Sequence, residues 1–235
     1  MIVLAPVYQP GHPLIALVTE LRDAAPDSPI VVVDDGSSPA SAATLDAIRD
    51  LGCTVLRHER NRGKGAALKT GFRYVSQAYP GQPVVCADGD GQHPVADILR
   101  VAAHAEATGH TVLGVRRFDG VVPLRSRVGN TVTRLLFRAA TGRPVQDTQT
   151  GLRAYPGALL GWLQSVPGDR FEYEMNVLLQ AARVGHPIDE VTIATTYLQD
   201  NASSHFGWMT DSLRIYRPLL RFVVSSLVAL TRWQR

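Results

Sequence analysis

Residues 84–94 read Val-Val-Cys-Ala-Asp-Gly-Asp-Gly-Gln-His-Pro, an apolar run that stops at two carboxylates one residue apart. The apolar part, from Pro83 to Ala87, has the length and composition of a buried strand. Because Asp88 and Asp90 cannot stay unpaired in a core, we expect them at the carboxyl edge of a sheet, where open α/β sheets bind ligands. Gly89 lets the backbone come close to a bound group. This stretch predicts a strand that ends in a binding site.

The same stretch carries ligands for a hard divalent cation. Asp88, Asp90 and the amide oxygen of Gln92 suit Mg²⁺ or Mn²⁺, which shares its coordination with water and substrate phosphates. The alternative is a solvated loop with an Asx turn. For His93, a position on the surface or behind the ligands is favoured over metal binding.

The bulk properties indicate one sizeable domain, or a domain with an appendage. The chain has 235 residues, 45% of them hydrophobic, and a net charge of +3, which is too small to argue for nucleic acid. Cys53 and Cys86 lie in predicted strands and favour buried thiols in a reducing compartment. The start lacks the basic region of a signal peptide, and no stretch reaches the ~20 apolar residues of a spanning helix. We therefore expect a cytoplasmic protein.

Strands alternate with helices in the first half, which predicts a largely parallel sheet. After Gly120 the alternation stops, which indicates a change of role and not a separable domain. Strands are expected at 2–5, 30–33, 53–56, 84–87, 111–115 and, weakly, 191–194, with a short polar turn or strand within 145–155. Helices are expected at 13–25, 41–51, 61–77, 95–107, 125–141, 172–184 and 210–235.

Polar side chains follow three of these strands, and in a parallel sheet they meet at one crevice. A turn at 61–65, Asn-Arg-Gly-Lys-Gly, opens a helix whose backbone N–H groups attract anions, which favours a phosphate role for Lys64 over a solvated surface position. The alternative for the acidic pair is a helix N-cap. The strand-end residues are Pro6 and Tyr8, Asp34 and Asp35, and Asp88 and Asp90.

Competing signatures are missing from the sequence. It contains no G-x-G-x-x-G after the first strand, no G-x-x-x-x-G-K-[ST], no H-E-x-x-H and no G-x-S-x-G. The segment 6–11 is not the Gly-rich basic loop of a nucleotidyltransferase. These absences disfavour dinucleotide enzymes, P-loop NTPases, zincins and α/β-hydrolases.

Together these motifs resemble family 2 glycosyltransferases of the GT-A fold, and within them the dolichyl- and polyprenyl-phosphate sugar transferases. The resemblance covers about residues 1–216 and is specific for the family, and less so for the sugar. Its motifs are V-V-V-D-D-G-S at 31–37, N-R-G-K-G-A-A-L at 61–68, A-D-G-D-G-Q-H-P at 87–94, D-T-Q-T-G-L-R at 147–153, F-E-Y-E at 171–174 and S-S-H-F at 203–206.

The resemblance implies an inverting, metal-dependent transfer from a UDP- or GDP-sugar. A divalent ion on the diphosphate stabilises the charge of the leaving group. Gln9 departs from the pattern, since many relatives place an acidic residue after the tyrosine. The implied donor residues are Pro6, Tyr8, Asp34, Asp35, Lys64, Asp88 and Gly89, with Asp88, Asp90 and Gln92 on the metal and Asp90 also assigned to catalysis.

Arginines past the catalytic edge point to a phosphate acceptor. Guanidinium groups suit bidentate phosphate binding, and a phosphate dianion can attack without a general base. A hydroxyl acceptor would need a carboxylate base, for which Asp147, Glu172 and Glu174 are candidates. The alternatives are an Asp147–Arg153 pair that orders a loop, and a helix-dipole role for Glu172. The expected acceptor residues are Arg116, Arg117, Arg125, Arg127, Arg153 and His205; a solvated basic face and a loop histidine without a site role are the alternatives for them.

The C-terminal segment 210–235 mixes apolar residues with regularly placed arginines. This pattern is typical of a helix in a membrane interface, and packing on its own domain or on a second subunit is the alternative. We therefore expect a transferase domain at 1–209, with a donor half at 1–118 and an acceptor half at 119–209, followed by the amphipathic helix. The expected location is the inner face of the cell membrane, with a homo-oligomer or a membrane protein as further partners.

The prediction is a metal-dependent transferase from a UDP- or GDP-sugar to a polyprenyl phosphate. One alternative keeps the donor and uses a saccharide or small-molecule hydroxyl. Another, of a different class, is a non-catalytic module that binds a nucleotide sugar, against which the intact pair Asp88 and Asp90 argues.

Overall fold

The structure is a computed structural model that describes residues 1–116 and 124–194, with the backbone alone at 124–129. Strands and helices alternate up to residue 116 as expected. The strands are β1 (Ile2–Val7), β2 (Ile30–Asp34), β3 (Thr54–Arg57), β4 (Val84–Cys86), β5 (Thr111–Arg116), β6 (Arg153–Tyr155) and β7 (Ile188–Ile193). The helices are α1 (His12–Ala24), α2 (Ala42–Asp50), α3 (Lys64–Ala78), α4 (Val95–Thr108), α5 (Leu124–Thr141), α6 (Leu160–Ser165) and α7 (Glu172–Val184), with 3₁₀ turns at Pro39–Ser41 and Gly157–Leu159.

The described strands form one sheet in the order β3-β2-β1-β4-β6-β5-β7. Strands β1 to β4 pair in parallel, as do β5 and β7. Strand β6 runs antiparallel between β4 and β5. This confirms the predicted mixed, mainly parallel α/β sheet.

Helices cover both faces of the sheet, so its central strands are buried on both sides. All five residues of β2 are buried, which explains its continuous Ile-Val-Val-Val run. On one face the core is formed with α1, α2 and α4, and on the other with α3, α6 and α7. On the second face the rings of Phe72 and Tyr155 meet edge to face at 5.7 Å.

Three parts of the second half differ from the sequence prediction or lie beyond it. Strand β7 begins at Ile188, three residues before the predicted start; the prediction missed this part because Asp189 and Glu190 are polar and only partly buried on an edge strand. Helix α6 was not predicted, since its six residues are too few to show a period. No helix within 1–116 and 124–194 is long and apolar enough to cross a membrane. The predicted helix at 210–235 lies outside the described residues.

Candidate active site

The carboxyl ends of three strands lie side by side. In the register of the sheet Val7 pairs with Asp34, and Leu4 pairs with Cys86, two residues before Asp88. The segments that follow β1, β2 and β4 therefore share one edge, as the sequence predicted. Tyr8 is 38% exposed there.

Lys64 joins this edge to helix α7. Its Nζ lies 2.8 Å from Asp88 Oδ1 and 3.0 Å from Glu174 Oε2, and its side chain is only 16% exposed. Burial alone would lower the pKa of the Lys64 ammonium, but the two carboxylates outweigh burial and raise that pKa above its ordinary value. Lys64 is therefore a partly buried cation paired with two carboxylates and not a solvated surface lysine.

Asp88 and Asp90 differ in their electrostatic balance. Burial would raise the pKa of Asp88, but the Lys64 ammonium lowers it below its ordinary value. Burial, and then the charge of Asp88, raise the pKa of Asp90. Asp90 Oδ1 accepts a hydrogen bond from the Gln92 N–H at 3.0 Å. The site therefore holds Asp88, whose charge is balanced by Lys64, and Asp90, whose ionised form is disfavoured by burial and by the charge of Asp88.

These residues fit a divalent ion that binds together with its substrate. Within 1–116 and 124–194 no three His, Cys, Asp or Glu side chains form a cluster that could hold an ion by themselves. Two carboxylates and the Gln92 amide oxygen are a sufficient protein share for Mg²⁺ or Mn²⁺, which take further ligands from phosphates and water. Burial and the charge of Asp88 disfavour the ionised form of Asp90, and a cation at this place would offset both effects. Burial lowers the pKa of His93, which favours its neutral form.

Gly151 forms the wall behind Asp88. A Cβ on Gly151 would lie 2.7 Å from Asp88 Cγ and would overlap its oxygens. The chain can pass this close only because residue 151 has no side chain. The D-T-Q-T-G-L-R motif at 147–153 thus brings the segment just before β6 against the Asp88 carboxylate.

Asp35 organises the turn that precedes Lys64. Its Oδ1 accepts the Arg62 N–H at 2.9 Å, and its Oδ2 accepts the Gly63 N–H at 2.7 Å. Its Oδ1 also lies 2.7 Å from His58 Nδ1. Asp35 is only 3% exposed. Its buried carboxylate therefore fixes the backbone just before α3 through these hydrogen bonds.

Asp34 and Gln9 connect the loops after β2 and β1. Asp34 Oδ1 accepts hydrogen bonds from the Ser37 N–H and hydroxyl, and Arg57 Nε lies 3.2 Å from Asp34 Oδ2. The Gln9 N–H donates to Ser37 Oγ at 2.8 Å, and Gln9 Oε1 accepts from the Ser38 hydroxyl at 2.8 Å. Gln9 has a φ of 53°, a left-handed conformation that a non-glycine residue rarely adopts. Gln9, the residue at which the sequence departs from the family pattern, therefore links the loop after β1 to the loop after β2.

Arg116 and Asp147 form a bidentate pair at the end of β5. The distances are 2.7 Å from Nε to Oδ2 and 3.1 Å from Nη2 to Oδ1, and Asp147 is fully buried. Asp147 also accepts the Gln149 N–H at 3.1 Å. The alternative that paired Asp147 with Arg153 is corrected here, since the partner of Asp147 is Arg116.

Arg153 lies in the interior. It is 1% exposed, and its guanidinium donates to the carbonyl oxygens of Thr148, Thr150 and Glu174. Its Nε lies 3.7 Å from Glu174 Oε1. In this arrangement Arg153 holds the loop at 148–150 against α7, and its guanidinium is buried and bound to main-chain oxygens, contrary to the predicted contact with an acceptor.

Glu172 lies at the first position of α7. Its Oε1 accepts the N–H groups of Asp169 at 3.1 Å and Arg170 at 3.2 Å, while its Oε2 is buried and has no hydrogen-bond partner among the residues that the structure describes. The helix-start alternative for Glu172 describes these contacts. A base role for it stays a prediction.

The sequence prediction underrated Glu174, which joins Lys64 to Arg153. The F-E-Y-E motif offered two glutamates, and only the structure separates Glu174, which contacts Lys64, from Glu172, which accepts backbone N–H groups of the segment before α7. Arg117 and His205 lie outside the described residues, as do the side chains of Arg125 and Arg127.

Comparison with known proteins identifies the family. Residues 2–160 match the family described as Glycosyl transferase family 2. An uncharacterized protein of Methanocaldococcus jannaschii is 34% identical over 201 residues, which cover 82% of this chain and 80% of the relative. An undecaprenyl-phosphate mannosyltransferase of Micrococcus luteus is 28% identical over 202 residues, which cover 82% of each chain.

A solved structure supports the fold. Glucosyl-3-phosphoglycerate synthase from Mycobacterium tuberculosis, crystallised with Mn²⁺, UDP and glucosyl-3-phosphoglycerate, has a TM-score of 0.72 at 21% identity and covers 94% of this chain and 79% of its own. The Micrococcus relative confirms the resemblance to the polyprenyl-phosphate sugar transferases. The chain belongs to glycosyl transferase family 2 and is a glycosyltransferase of the GT-A fold.

Proposed function

We propose that the chain moves a sugar from a UDP- or GDP-sugar to a polyprenyl phosphate, with Mg²⁺ or Mn²⁺ as cofactor. The observation that carries the donor half is the Lys64 ammonium, whose Nζ lies 2.8 Å from Asp88 Oδ1, with Asp90 two residues further along the chain. A cation and a carboxylate pair at one helix start suit a diphosphate that carries a metal. The synthase with which the fold was compared was crystallised with Mn²⁺ and UDP, which supports this choice.

The residues of this chain divide the donor chemistry between them. Asp88, Asp90 and Gln92 would hold the ion, which acts as a Lewis acid on the leaving diphosphate. Lys64 at the start of α3 binds phosphate oxygens. Pro6 and Tyr8 at the end of β1, Asp34 and Asp35 at the end of β2, and Gly89 after β4 would frame the nucleoside side.

The described carboxylates favour a phosphate acceptor over a hydroxyl. A hydroxyl must lose its proton to a base within hydrogen-bond reach, whereas a phosphate dianion attacks without one. Asp147 is fully buried and bound by Arg116, and Glu174 is bound by Lys64. Two of the three predicted bases are therefore engaged with cations. The acceptor named for the Micrococcus relative is also a polyprenyl phosphate.

The acceptor half and the membrane contact are proposed from the sequence together with this chemistry. Arg116 ends β5 at the catalytic edge, and Arg117, Arg125, Arg127 and His205 follow in the chain. Residues 119–209 would receive the lipid phosphate, while 1–118 hold the donor. The amphipathic segment 210–235 would place the enzyme at the inner membrane face.

The donor is tested by calorimetric titration with UDP and GDP, each with and without Mn²⁺. We expect one nucleotide to bind in a metal-dependent way. Transfer from that nucleotide's sugars to undecaprenyl phosphate and to a panel of sugar hydroxyls then tests the acceptor. Transfer to hydroxyls alone would refute the phosphate acceptor, and binding without turnover on any acceptor would favour the non-catalytic module.

The membrane contact is tested by flotation with anionic vesicles. Removal of residues 219–235 should reduce co-flotation, because cations and apolar side chains of that segment are lost. Equal flotation of both chains would refute a membrane role for this segment.

A further inference from the structure

Glu174 lies behind Lys64 in the proposed donor site and contacts both Lys64 and Arg153. Its side chain is 14% exposed, and its Oε2 lies 3.0 Å from Lys64 Nζ. It stands in the first turn of α7, a helix that the sequence places about 110 residues after Lys64. The contact therefore fixes the start of α3 against a distant part of the chain.

The position of Glu174 is itself fixed from behind. Arg153 Nε lies 3.7 Å from Glu174 Oε1, and Arg153 Nη1 donates to the Glu174 carbonyl oxygen at 2.9 Å. The same guanidinium is held by the carbonyl oxygens of Thr148 and Thr150. Because Arg153 is buried and bound on three sides, Glu174 has little freedom to move away from Lys64.

Lys64 stands where a cation is unfavourable for the helix alone. It is the first residue of α3, and the N-terminal end of a helix carries a partial positive charge. Two carboxylates offset this repulsion. A lysine kept in such a place serves the binding of an anion better than it serves the stability of the helix.

The two anchors of Lys64 have different duties. Asp88 is the carboxylate that the proposed ion would share, so its contact with Lys64 is open to competition. Glu174 is not one of the three proposed ion ligands, so its contact with Lys64 is not open to this competition. We propose that Glu174 is a positioning residue that holds the Lys64 ammonium toward the donor diphosphate when Asp88 is recruited as a metal ligand. This inference rests on the proposed function and adds a residue to it.

The test compares diphosphate with monophosphate binding. Glu174→Gln keeps the size of the side chain and removes its charge, so Lys64 loses its permanent anchor. With Mn²⁺ present, the affinity for UDP (or GDP, whichever the wild type binds) should fall by about tenfold, the effect of one charge-assisted hydrogen bond. The affinity for the matching monophosphate should change by less than about twofold. A general loss of structure would instead weaken the binding of both ligands.

A double variant separates an action through Lys64 from an independent one. Lys64→Met should weaken diphosphate binding at least as much as Glu174→Gln. The combination Lys64→Met with Glu174→Gln should bind no more weakly than Lys64→Met alone, since the two residues act as one unit. Losses that multiply would overturn the inference.

The chain offers a matched control pair between the same two segments. Lys69, in α3, contacts Asp169 Oδ1 at 3.1 Å, just before α7. Lys69→Met and Asp169→Asn should leave the ratio of diphosphate to monophosphate affinity unchanged. A change in this ratio equal to that of Glu174→Gln would show a general effect of joining α3 to α7 and would refute a specific role for Glu174.

Two further outcomes keep the inference apart from the proposed function. A wild-type protein that binds neither UDP nor GDP would overturn the proposed function itself. A wild type that binds, with a folded Glu174→Gln variant that binds equally well, would overturn only the role of Glu174. If Glu174→Gln does not fold, Glu174→Asp keeps the charge at a shorter reach; it should lose diphosphate affinity selectively, and unchanged affinity would refute the inference.

Discussion

Gly151 shows how one residue without a side chain shapes the site. Its Cα lies against the Asp88 carboxylate, so a Cβ there would displace a flexible side chain and leave the backbone in place. We expect Gly151→Ala to weaken metal-dependent nucleotide binding by at least about tenfold, because Asp88 is pushed out of position. Calorimetry with Mn²⁺ and the bound nucleotide measures this effect.

A control glycine is available nearby in α6. A Cβ on Gly161 would meet no atom within 4 Å, so Gly161→Ala should leave nucleotide binding unchanged and stabilise its helix slightly. Equal nucleotide affinity in Gly151→Ala and the wild type would contradict the close packing of residue 151 on Asp88.

We expect Asp35 to contribute mainly to the stability of the fold. Asp35→Asn replaces one acceptor oxygen by a donor next to two backbone N–H groups, those of Arg62 and Gly63. An unsatisfied buried group costs about 1–3 kcal/mol, so the free energy of unfolding should fall by that amount in urea denaturation. The surface variant Asp46→Asn, whose side chain is 68% exposed, should change it by less than about 0.5 kcal/mol. A similar small effect for Asp35→Asn would show that its contacts are not needed.

At the scale of elements, the Arg116–Asp147 pair fastens the end of β5 to the segment before β6. Arg116→Met would leave the fully buried Asp147 carboxylate without its cation. Losing one partner of a fully buried pair costs about 3–5 kcal/mol. Since Arg116 is 27% exposed, we expect a smaller fall in the free energy of unfolding, about 2 kcal/mol, in urea denaturation.

The matched control is Arg49→Met, which breaks the exposed pair with Asp46 and should cost less than about 1 kcal/mol. Should the two variants unfold at the same urea concentration, burial of Asp147 would not matter for stability.

The edge strand β7 is fastened to α4 by a carboxylate between two histidines. Asp189 Oδ2 lies 3.0 Å from His104 Nε2 and 3.1 Å from His110 Nδ1. Burial would raise the pKa of Asp189, but the hydrogen bonds from His104 and His110 outweigh it and lower that pKa below its ordinary value. A lowered carboxyl pKa contributes stability above the ordinary value, and this stability is lost as the pH falls through the lowered value.

Asp189→Asn should therefore lower the melting temperature near neutral pH. The difference from the wild type should begin to shrink once the pH falls below the ordinary carboxyl pKa of about 3.9, where Asp189 of the unfolded chain takes up a proton, and it should disappear below the lowered pKa of the folded protein. Melting curves between pH 3 and pH 7 measure this convergence. A difference that is constant over this range would refute the ionic origin of the contact.

For the whole molecule, ligand binding should raise stability by mass action. Nucleotide at about 100 times its dissociation constant adds about 2.7 kcal/mol, which raises the melting temperature by several degrees. We expect this rise with UDP or GDP only when Mn²⁺ is present, and we expect EDTA to remove it. Asp90→Asn should lose the rise while still melting cooperatively. A rise that EDTA leaves intact would contradict the metal site.

Much of this architecture could be predicted from the sequence, because its signals are local. Buried strands such as β2 read as apolar runs, and the polar residues after them mark the ligand edge. Helix α7 was predicted with the bounds that the structure shows, since Gly185 and Pro187 end it. The parallel strands of the first half could be predicted from the alternation of strands and helices alone.

The rest depends on contacts between distant residues. Nothing near Asp147 in the sequence indicates that Arg116, 31 positions earlier, is its partner. The burial of Arg153 could not be predicted either, because the sequence does not distinguish a buried arginine from an exposed one. Strand β6 is three residues long and gives no period, so its place between β4 and β5 could not be predicted.

The position of β6 in the sheet also affects how long β5 stays unpaired during translation. Strand β5 ends at residue 116, yet both of its hydrogen-bonding neighbours, β6 and β7, are encoded after residue 152. A nascent chain that has just released β5 therefore carries a strand with two open edges, the form most prone to pair with another chain. Translation must add roughly 80 more residues, several seconds at typical rates, before that strand is enclosed. Slow translation across this stretch would lengthen the exposure and increase the demand for chaperones.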